Sequence, residues 1–207
     1  MTEKTGGRTI LTTPFTDEDI NTLRTGDIIY ISGDIVTGRD DVHMRVVAEG
    51  MDLPVDLQGK ALMHAGPIVK GSAGNGFEMV SIGPTTSMRM EKSEYDFIEK
   101  TGVRLIIGKG GMGKRMSEAC RRFGAVHCLL PAGNAVLTAL CVEEICSADW
   151  TDLGMAEALW SCRVKEIGPL IVSIDTTGRN YFEEKKLDYD RIKEEQIALI
   201  SRKLPAL

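Results

Sequence analysis

The stretch Val103-Arg-Leu-Ile-Ile-Gly-Lys-Gly-Gly-Met-Gly113 limits what this chain can fold into more than any other. Val103 to Ile107 reads as a buried strand, and the glycines at 108, 110, 111 and 113 close it in a turn that tolerates φ > 0 and close backbone approach. A helix is predicted over 114–122. A strand, a glycine-rich turn and a helix in that order present bare N–H groups beside the positive end of a helix, an arrangement suited to an anion. Lys109 adds a full positive charge at the mouth. The predicted ligand therefore carries phosphate or carboxylate.

The same residues fit a second pattern. Gly108-Lys-Gly-Gly-Met-Gly-Lys114 matches GxxxxGK after a strand, as a P-loop does. The next residue is Arg115, where that motif needs a Ser or Thr hydroxyl for Mg²⁺. The strand Leu170-Ile-Val-Ser-Ile-Asp175 has the form of a Walker B segment, but apolar strands ending in Asp are common. Nucleotide binding thus stands as the alternative from a different class.

Composition narrows the field. A chain of 207 residues fits one large domain, and a hydrophobic share of 43% supplies a core. The net charge of −5 argues against nucleic acid and anionic membranes as partners. No apolar run approaches the roughly 20 residues of a membrane helix. The opening Met-Thr-Glu-Lys-Thr-Gly-Gly-Arg leads into no apolar signal core, so a cytoplasmic location is expected. The five cysteines, at 120, 128, 141, 146 and 162, form no CxxC, which points to reduced thiols. Cys141 and Cys146 fall within an apolar helical pattern over 134–146 and are expected to be buried and structural. His43, His64 and His127 show no metal-site spacing with these cysteines, and no metal is expected on this chain alone.

In chain order, Thr16 is predicted to cap a short helix beginning Asp17-Glu18-Asp19. Ile28 to Ser32 reads as a strand, Gly33-Asp34 as a tight hairpin turn and Ile35 to Thr37 as the partner strand. Asp40 or Asp41 is predicted to cap a helix over roughly 41–49. Arg39, at its entry, suits either a solvated turn or a bidentate grip on a carboxylate. His43 reads as a structural histidine. Leu62 to Pro67 reads as a strand continuing through Ile68 to Lys70. A loop over 71–76 and a strand over 77–82 follow. Gly83 to Arg89 is a hydroxyl-rich turn before a helix over 91–100. Ala125 to Leu130 reads as a strand, Leu159 to Ile167 as a more exposed one, and 170–174 as a buried one. A charged amphipathic helix is predicted over 188–203, with Ile192, Ile197, Leu199 and Ile200 available for packing.

Three of these segments share an order and spacing: Gly38-Arg-Asp with His43, Gly83-Pro-Thr-Thr with Arg89, and Gly108-Lys-Gly-Gly-Met-Gly113. In this the chain resembles the β subunit, equivalent to the C-terminal domain, of class I iron–sulfur fumarate hydratases and L-tartrate dehydratases. Pro131-Ala-Gly-Asn-Ala135, the Asp149-Trp-Thr-Asp-Leu-Gly-Met155 segment with Glu157 and Trp160, and Ile174-Asp-Thr-Thr-Gly178 extend the likeness from about Leu11 to Asn180. Two departures bear on the pocket: Asp41-Val42 precedes His43 where relatives carry small alanines, and Met88 replaces a small residue before the arginine.

The resemblance implies an α/β fold, a swivelling β/β/α domain with mixed sheet layers and flanking helices, spanning 1–207 as one domain. It implies the β chain of a two-subunit hydro-lyase. Fumarate hydration to L-malate is the first expectation, and L-tartrate dehydration the close alternative. A carboxylate-binding module without catalysis is a remoter one. A 4Fe–4S cluster would be held by cysteines of the partner α subunit, with none bound here. The expected assembly is a hetero-oligomer, with a homodimer when isolated as the alternative. Arg39, Arg89 and Lys109 match the family's cationic contacts to a small dicarboxylate, beside the N–H groups of Gly110 and Gly111. Thr85 matches a threonine assigned to acid–base chemistry, with Thr86 as its competitor. A bare hydroxyl is a poor base, so Thr85 would need a partner carboxylate or would relay a proton.

Overall fold

The computed structural model describes residues 2–5, 7–72 and 76–203. The chain forms β1 (Thr2–Thr5), β2 (Arg8–Thr12), α1 (Asp17–Asn21), β3 (Ile28–Thr37), α2 (Asp40–His43), a π-helical turn (Met44–Ala48), β4 (Ala61–Met63), β5 (Ile68–Ser72) and β6 (Gly76–Ser81). There follow α3 (Glu91–Thr101) behind a 3₁₀ turn (Ser87–Met90), β7 (Leu105–Gly108), α4 (Lys114–Phe123), β8 (Val126–Leu129), α5 (Ala135–Ala139), β9 (Val142–Asp149), β10 (Leu159–Ile174) and α6 (Tyr181–Lys203).

The sheet closes on itself. Strands β3, β4, β7 and β8 run parallel in that order, and β10 joins β8 to β3 by antiparallel pairing on both its edges. Strands β2 and β1 extend the outer half of β3, β9 lies along the first half of β10, and β5 and β6 form a separate ribbon. The result is α/β: a barrel-like closed sheet with helices against it.

Both faces of the parallel strands are covered, which is why β4 and β7 read as unbroken apolar runs. Met63, Leu105 and Ile107 point into one buried cluster with Ile29, Ile31, Ile35 and Val172. Their neighbours Leu62 and Ile106 point into another, under α3 and α4, with Phe97, Ile98, Met116 and Cys120. The carboxyl ends of the parallel strands β3, β4, β7 and β8 lie side by side along one rim of the closed sheet.

Several expectations hold. Thr16 caps α1 in a reciprocal capping box with Asp19. Helices α3 and α4 lie within a residue of their predicted bounds. Others fail for identifiable reasons. Gly33-Asp34 is no hairpin: β3 runs straight through it, pairing with β10 on both sides of Gly33. Gly33 takes φ +96 and packs on Thr13, whose hydroxyl accepts the Asp34 N–H at 2.6 Å, so the glycine kinks one long strand.

The helix expected over 134–146 stops at Ala139, and Val142–Asp149 pairs with β10 as an edge strand. Cys141 is therefore half-buried and Cys146 exposed, not buried helical residues. Leu159 to Ile167 is not a separate exposed strand. It belongs to the 16-residue β10, and Leu159, Trp160, Cys162, Val164 and Ile167 are buried. Ile68 to Lys70 does not prolong β4 but opens the β5–β6 ribbon. In the loop expected over 71–76, residues 73–75 lie outside the described residues. Arg39, not Asp40 or Asp41, stands at the N-cap of α2, without a side-chain cap bond. Helix α6 starts at Tyr181, before the expected 188, and Ile192, Ile197, Leu199 and Ile200 are exposed on it. No helix among the described residues is long and apolar enough to cross a membrane.

Candidate active site

The residues singled out from sequence meet at the carboxyl ends of the parallel strands. Arg39 follows β3, His64 follows β4 and Lys109 follows β7. The turn over 83–89 is laced to two of these ends. Thr85 N–H donates to His64 C=O at 2.6 Å, Lys109 N–H donates to Thr85 C=O at 3.0 Å, and Ser87 N–H donates to Lys109 C=O at 3.1 Å. Thr85 is half-buried and Thr86 exposed, so their main chains lie together beside Lys109.

Both arginines already hold carboxylates. Arg89 clasps Asp40 with two bonds, Nε to Oδ1 at 3.0 Å and a shorter one to Oδ2. Arg39 Nε lies 3.0 Å from Glu157 Oε1, and its Nη2 lies 3.8 Å from Asp40 Oδ2. Burial would raise the Asp40 pKa, but the bond and charge of Arg89, helped by Arg39, hold it below the ordinary value. Arg39 reaches this position because residue 66 is glycine: a Cβ there would stand 2.4 Å from its Nη1. Lys109 has no ion pair among the described residues and is partly exposed. Gly110 is exposed at φ +72. Gly111 lies under the Phe182 ring of α6, 2.7 Å from where a Cβ would be. Met88, Gly111, Met112, Phe182 and Tyr189 line a groove of about 420 Å³ at this rim.

The expected anion site at the start of α4 is filled from within. Glu91, the first residue of α3, accepts the N–H groups of Gly113 at 2.8 Å, Arg115 at 3.0 Å and Met116 at 3.4 Å. A carboxylate thus takes the free donors and faces the positive helix end. The P-loop reading fails here for a physical reason, since a nucleotide phosphate would have to displace a built-in anion. Asp175, read as a Walker B residue, instead accepts bonds from Thr25 and Thr177 and closes a turn.

Beneath the rim runs a buried polar chain that the sequence did not disclose. His43 Nδ1 lies 2.7 Å from Arg39 C=O, and its Nε2 lies 3.1 Å from Glu94 Oε2. His64 Nε2 lies 3.1 Å from the same oxygen, although off the line of a straight bond. His64 Nδ1 lies 3.0 Å from Ser87 Oγ, which lies 3.2 Å from His127 Nε2, and His127 Nδ1 lies 2.6 Å from Ser173 Oγ. His64, Ser87, Glu94, His127 and Ser173 have no exposed surface, and His43 almost none.

Burial would lower the His43 pKa, but the charge and bond of Glu94 raise it instead. Burial would likewise raise that of Glu94, but His43 and His64 bring it far down. His64 is lowered, chiefly by burial, and His127 is pushed down to about 3 by burial with the nearby His64. His43 Nε2, His64 Nε2 and Glu94 form the one group of metal-ligand type found among the described residues. The His43 imidazolium already balances the Glu94 carboxylate, with no metal ion needed for that charge.

Asp40, Glu157, Glu91, Glu94, Ser87 and His127 are the participants missed in the sequence. Glu157 stood within a recognised motif but without a role. Glu91 and Glu94 read as ordinary helix carboxylates, because nothing local shows that α3 turns them inward. The five cysteines are scattered, with Cys120, Cys128 and Cys162 buried in the fold, and do not form a ligand set for an iron–sulfur cluster.

Comparison with known proteins adds to this geometry. The family model described as Fumarase C-terminus matches residues 2–185. The chain is 57% identical over 177 residues to the L(+)-tartrate dehydratase subunit beta of Escherichia coli (strain K12), covering 86% of this chain and 88% of that one. It is 39% identical over 184 residues to a Methanocaldococcus jannaschii protein provisionally named L(+)-tartrate dehydratase subunit beta, covering 86% and 94%. It is 36% identical over 174 residues to a Geobacillus stearothermophilus protein provisionally named fumarate hydratase class I, covering 84% of this chain and 33% of that one.

Proposed function

The chain belongs to the Fumarase C-terminus family, as a β subunit of the class I fumarate hydratase and tartrate dehydratase type, and from that membership we propose that it serves an L-tartrate dehydratase. The observation that carries the substrate is the 57% identity to a tartrate dehydratase β subunit along nearly the whole of both chains. Fumarate, the first expectation from sequence, becomes the second reading, supported by the 36% identity to the fumarate hydratase relative. The reaction class is the same in both: a hydro-lyase acting on a small dicarboxylate.

The chain's own groups suit that substrate. Two guanidinium forks, Arg39 and Arg89, are pre-aimed by Glu157 and Asp40, and each fork can fix the plane of a substrate carboxylate. Lys109 offers a compact charge that stabilises the negative charge building on a carboxylate as the adjacent C–H proton leaves. In this reading the Thr85 hydroxyl orients or relays a proton, and the N–H groups of Gly110 and Gly111 add donors. These cysteines do not fit an iron–sulfur cluster, so the cluster of this enzyme class is assigned to a partner α subunit in a hetero-oligomer. The chain is read as one cytoplasmic domain of the swivelling β/β/α type, with α6 as its appendage.

The test is anaerobic co-expression with an α-type subunit, followed by assays of L-tartrate dehydration and fumarate hydration on the same preparation. Tartrate turnover well above fumarate is expected. The reverse would move the substrate to fumarate, and a cluster-loaded complex active on neither would remove the hydro-lyase reading.

A further inference from the structure

The buried chain beneath the rim has a direction, and its protons can be placed by elimination. His43 Nδ1 faces a carbonyl oxygen, which only accepts, so that nitrogen carries a hydrogen. Its Nε2 faces the Glu94 carboxylate and carries a second one. His64 Nε2, beside the same oxygen, also carries a hydrogen. Burial lowers the His64 pKa and favours the neutral ring, whose Nδ1 is then bare and accepts the Ser87 hydroxyl hydrogen. Ser87 Oγ is then free to accept from His127 Nε2–H, and the bare His127 Nδ1 accepts from Ser173. Each hydroxyl donates once, and each imidazole faces a polar atom on both sides, His64 Nε2 meeting Glu94 as a close charge contact and not a straight bond.

What the chain touches gives it a purpose. His43 stands one turn from Arg39 on α2, and Glu94 belongs to the helix that follows Arg89. His64 C=O holds the Thr85 N–H, and the Ser87 N–H holds Lys109 C=O. Ser87 Oγ occupies the space a side chain on Gly108 would need, with a Cβ there only 1.7 Å away. The segments bearing Arg39, Thr85, Arg89 and Lys109 are therefore tied to one another through Glu94 and Ser87.

We propose that the Glu94 carboxylate fixes the protonation of all three histidines, and that the resulting one-way chain of hydrogen bonds positions Thr85 and Lys109 for the reaction. Glu94 and Ser87 are positioning residues, because neither reaches the rim where substrate binds. The kinetic half of this inference rests on the hydro-lyase reading, whereas the protonation half does not.

Replacing Glu94 by glutamine fixes the opposite pattern. The amide is neutral, so an imidazolium at His43 loses its counter-charge and gives up its Nε2 proton. The amide NH₂ then donates to both Nε2 atoms. His64 must carry its hydrogen on Nδ1 and donate to Ser87, Ser87 donates to His127 Nε2, and His127 Nδ1–H donates to Ser173. Ser173 already has a second acceptor for its hydrogen, His127 C=O at 3.1 Å.

The experiment is nitrogen-15 NMR of the histidine side chains in the full chain, wild type and Glu94→Gln. In the wild type, one imidazolium and two Nε2–H tautomers are expected. In Glu94→Gln, no imidazolium and three Nδ1–H tautomers should replace them. A wild-type Nδ1–H signal from His64 or His127, or an unchanged pattern in a folded Glu94→Gln chain, would overturn the assignment. Should that variant not fold, the wild-type spectrum alone still decides it.

Ser87→Ala, assayed in the assembled complex, tests positioning by cutting the chain without touching the buried charge. Turnover should fall about ten- to a hundredfold while KM stays within about twofold, because the reacting groups shift and the arginine grips do not. Wild-type kcat, or a loss confined to KM, would sink the positioning role. A wild-type complex without hydro-lyase activity would refute the functional reading and leave the tautomer result standing.

Discussion

Lys109, Arg39 and Arg89 carry the same charge, yet the fold keeps them in different states. The arginines are held by Glu157 and Asp40, and lysine stands without an ion pair among the described residues. A fork fixed by a carboxylate is suited to orientation, and an unpaired ammonium to charge that appears only in the transition state. Lys109→Met is therefore expected to lower kcat by about 10²–10³-fold, the usual range for one stabilising donor, with a smaller change in KM. Arg89→Lys should act on binding, raising KM about tenfold, or ~1.4 kcal/mol, because a point charge cannot keep the paired geometry with Asp40 and substrate. Steady-state kinetics on L-tartrate with the assembled enzyme check both. Equal losses in kcat and KM from the two variants would erase the division of labour. Lys109 was legible in sequence because glycines surround it. Asp40 was visible as a residue and invisible as a partner, since its meeting with Arg89 depends on how α2 docks against the turn before α3.

At the scale of elements, Glu91 shows how a correct local reading left out the group that fills the helix end. The turn and helix over 108–123 form as predicted, but α3 delivers a carboxylate to the donors at the start of α4. Local pattern sees the free N–H groups of a helix end and has no view of which other element fills them. Removing that acceptor in Glu91→Ala should cost about 1–2 kcal/mol in urea unfolding, in line with the loss of a helix cap. Glu91→Gln should recover part of it, because the amide oxygen still accepts. No loss in Glu91→Ala would show that water serves the helix end as well. The β9 error has a related cause. The helical pattern over 134–146 carries on past Ala139 in the sequence, but pairing with β10 makes Val142–Asp149 a strand. Gly33 misled in the other direction, since a glycine with φ > 0 serves a bend within a strand as readily as a turn between two.

At the scale of the whole molecule, all three histidines of the sequence lie in one connected buried chain, so its stability should follow pH in a particular way. His64 and His127 have lowered pKa values, that of His127 to about 3, and stay neutral in the folded chain. The unfolded chain protonates both below about pH 6.5, so it binds more protons than the folded one and stability falls as pH drops. His43 has a raised pKa and is protonated when folded. Its contribution is complete below about pH 6.5 and is lost as pH climbs through the higher folded value. Glu94, lowered by the two histidines against the effect of burial, adds a further loss only below about pH 4.5. The three histidines together place a stability maximum near pH 6.5, and between about 4.5 and 6.5 few other side chains titrate. Urea unfolding at a series of pH values should show that maximum. His127→Gln should flatten the acid side by up to about 1.4 kcal/mol per pH unit, the worth of one proton. An unchanged acid slope in a folded His127→Gln chain would mean that His127 is not the neutral, buried link between Ser87 and Ser173, and the chain of bonds would end at Ser87.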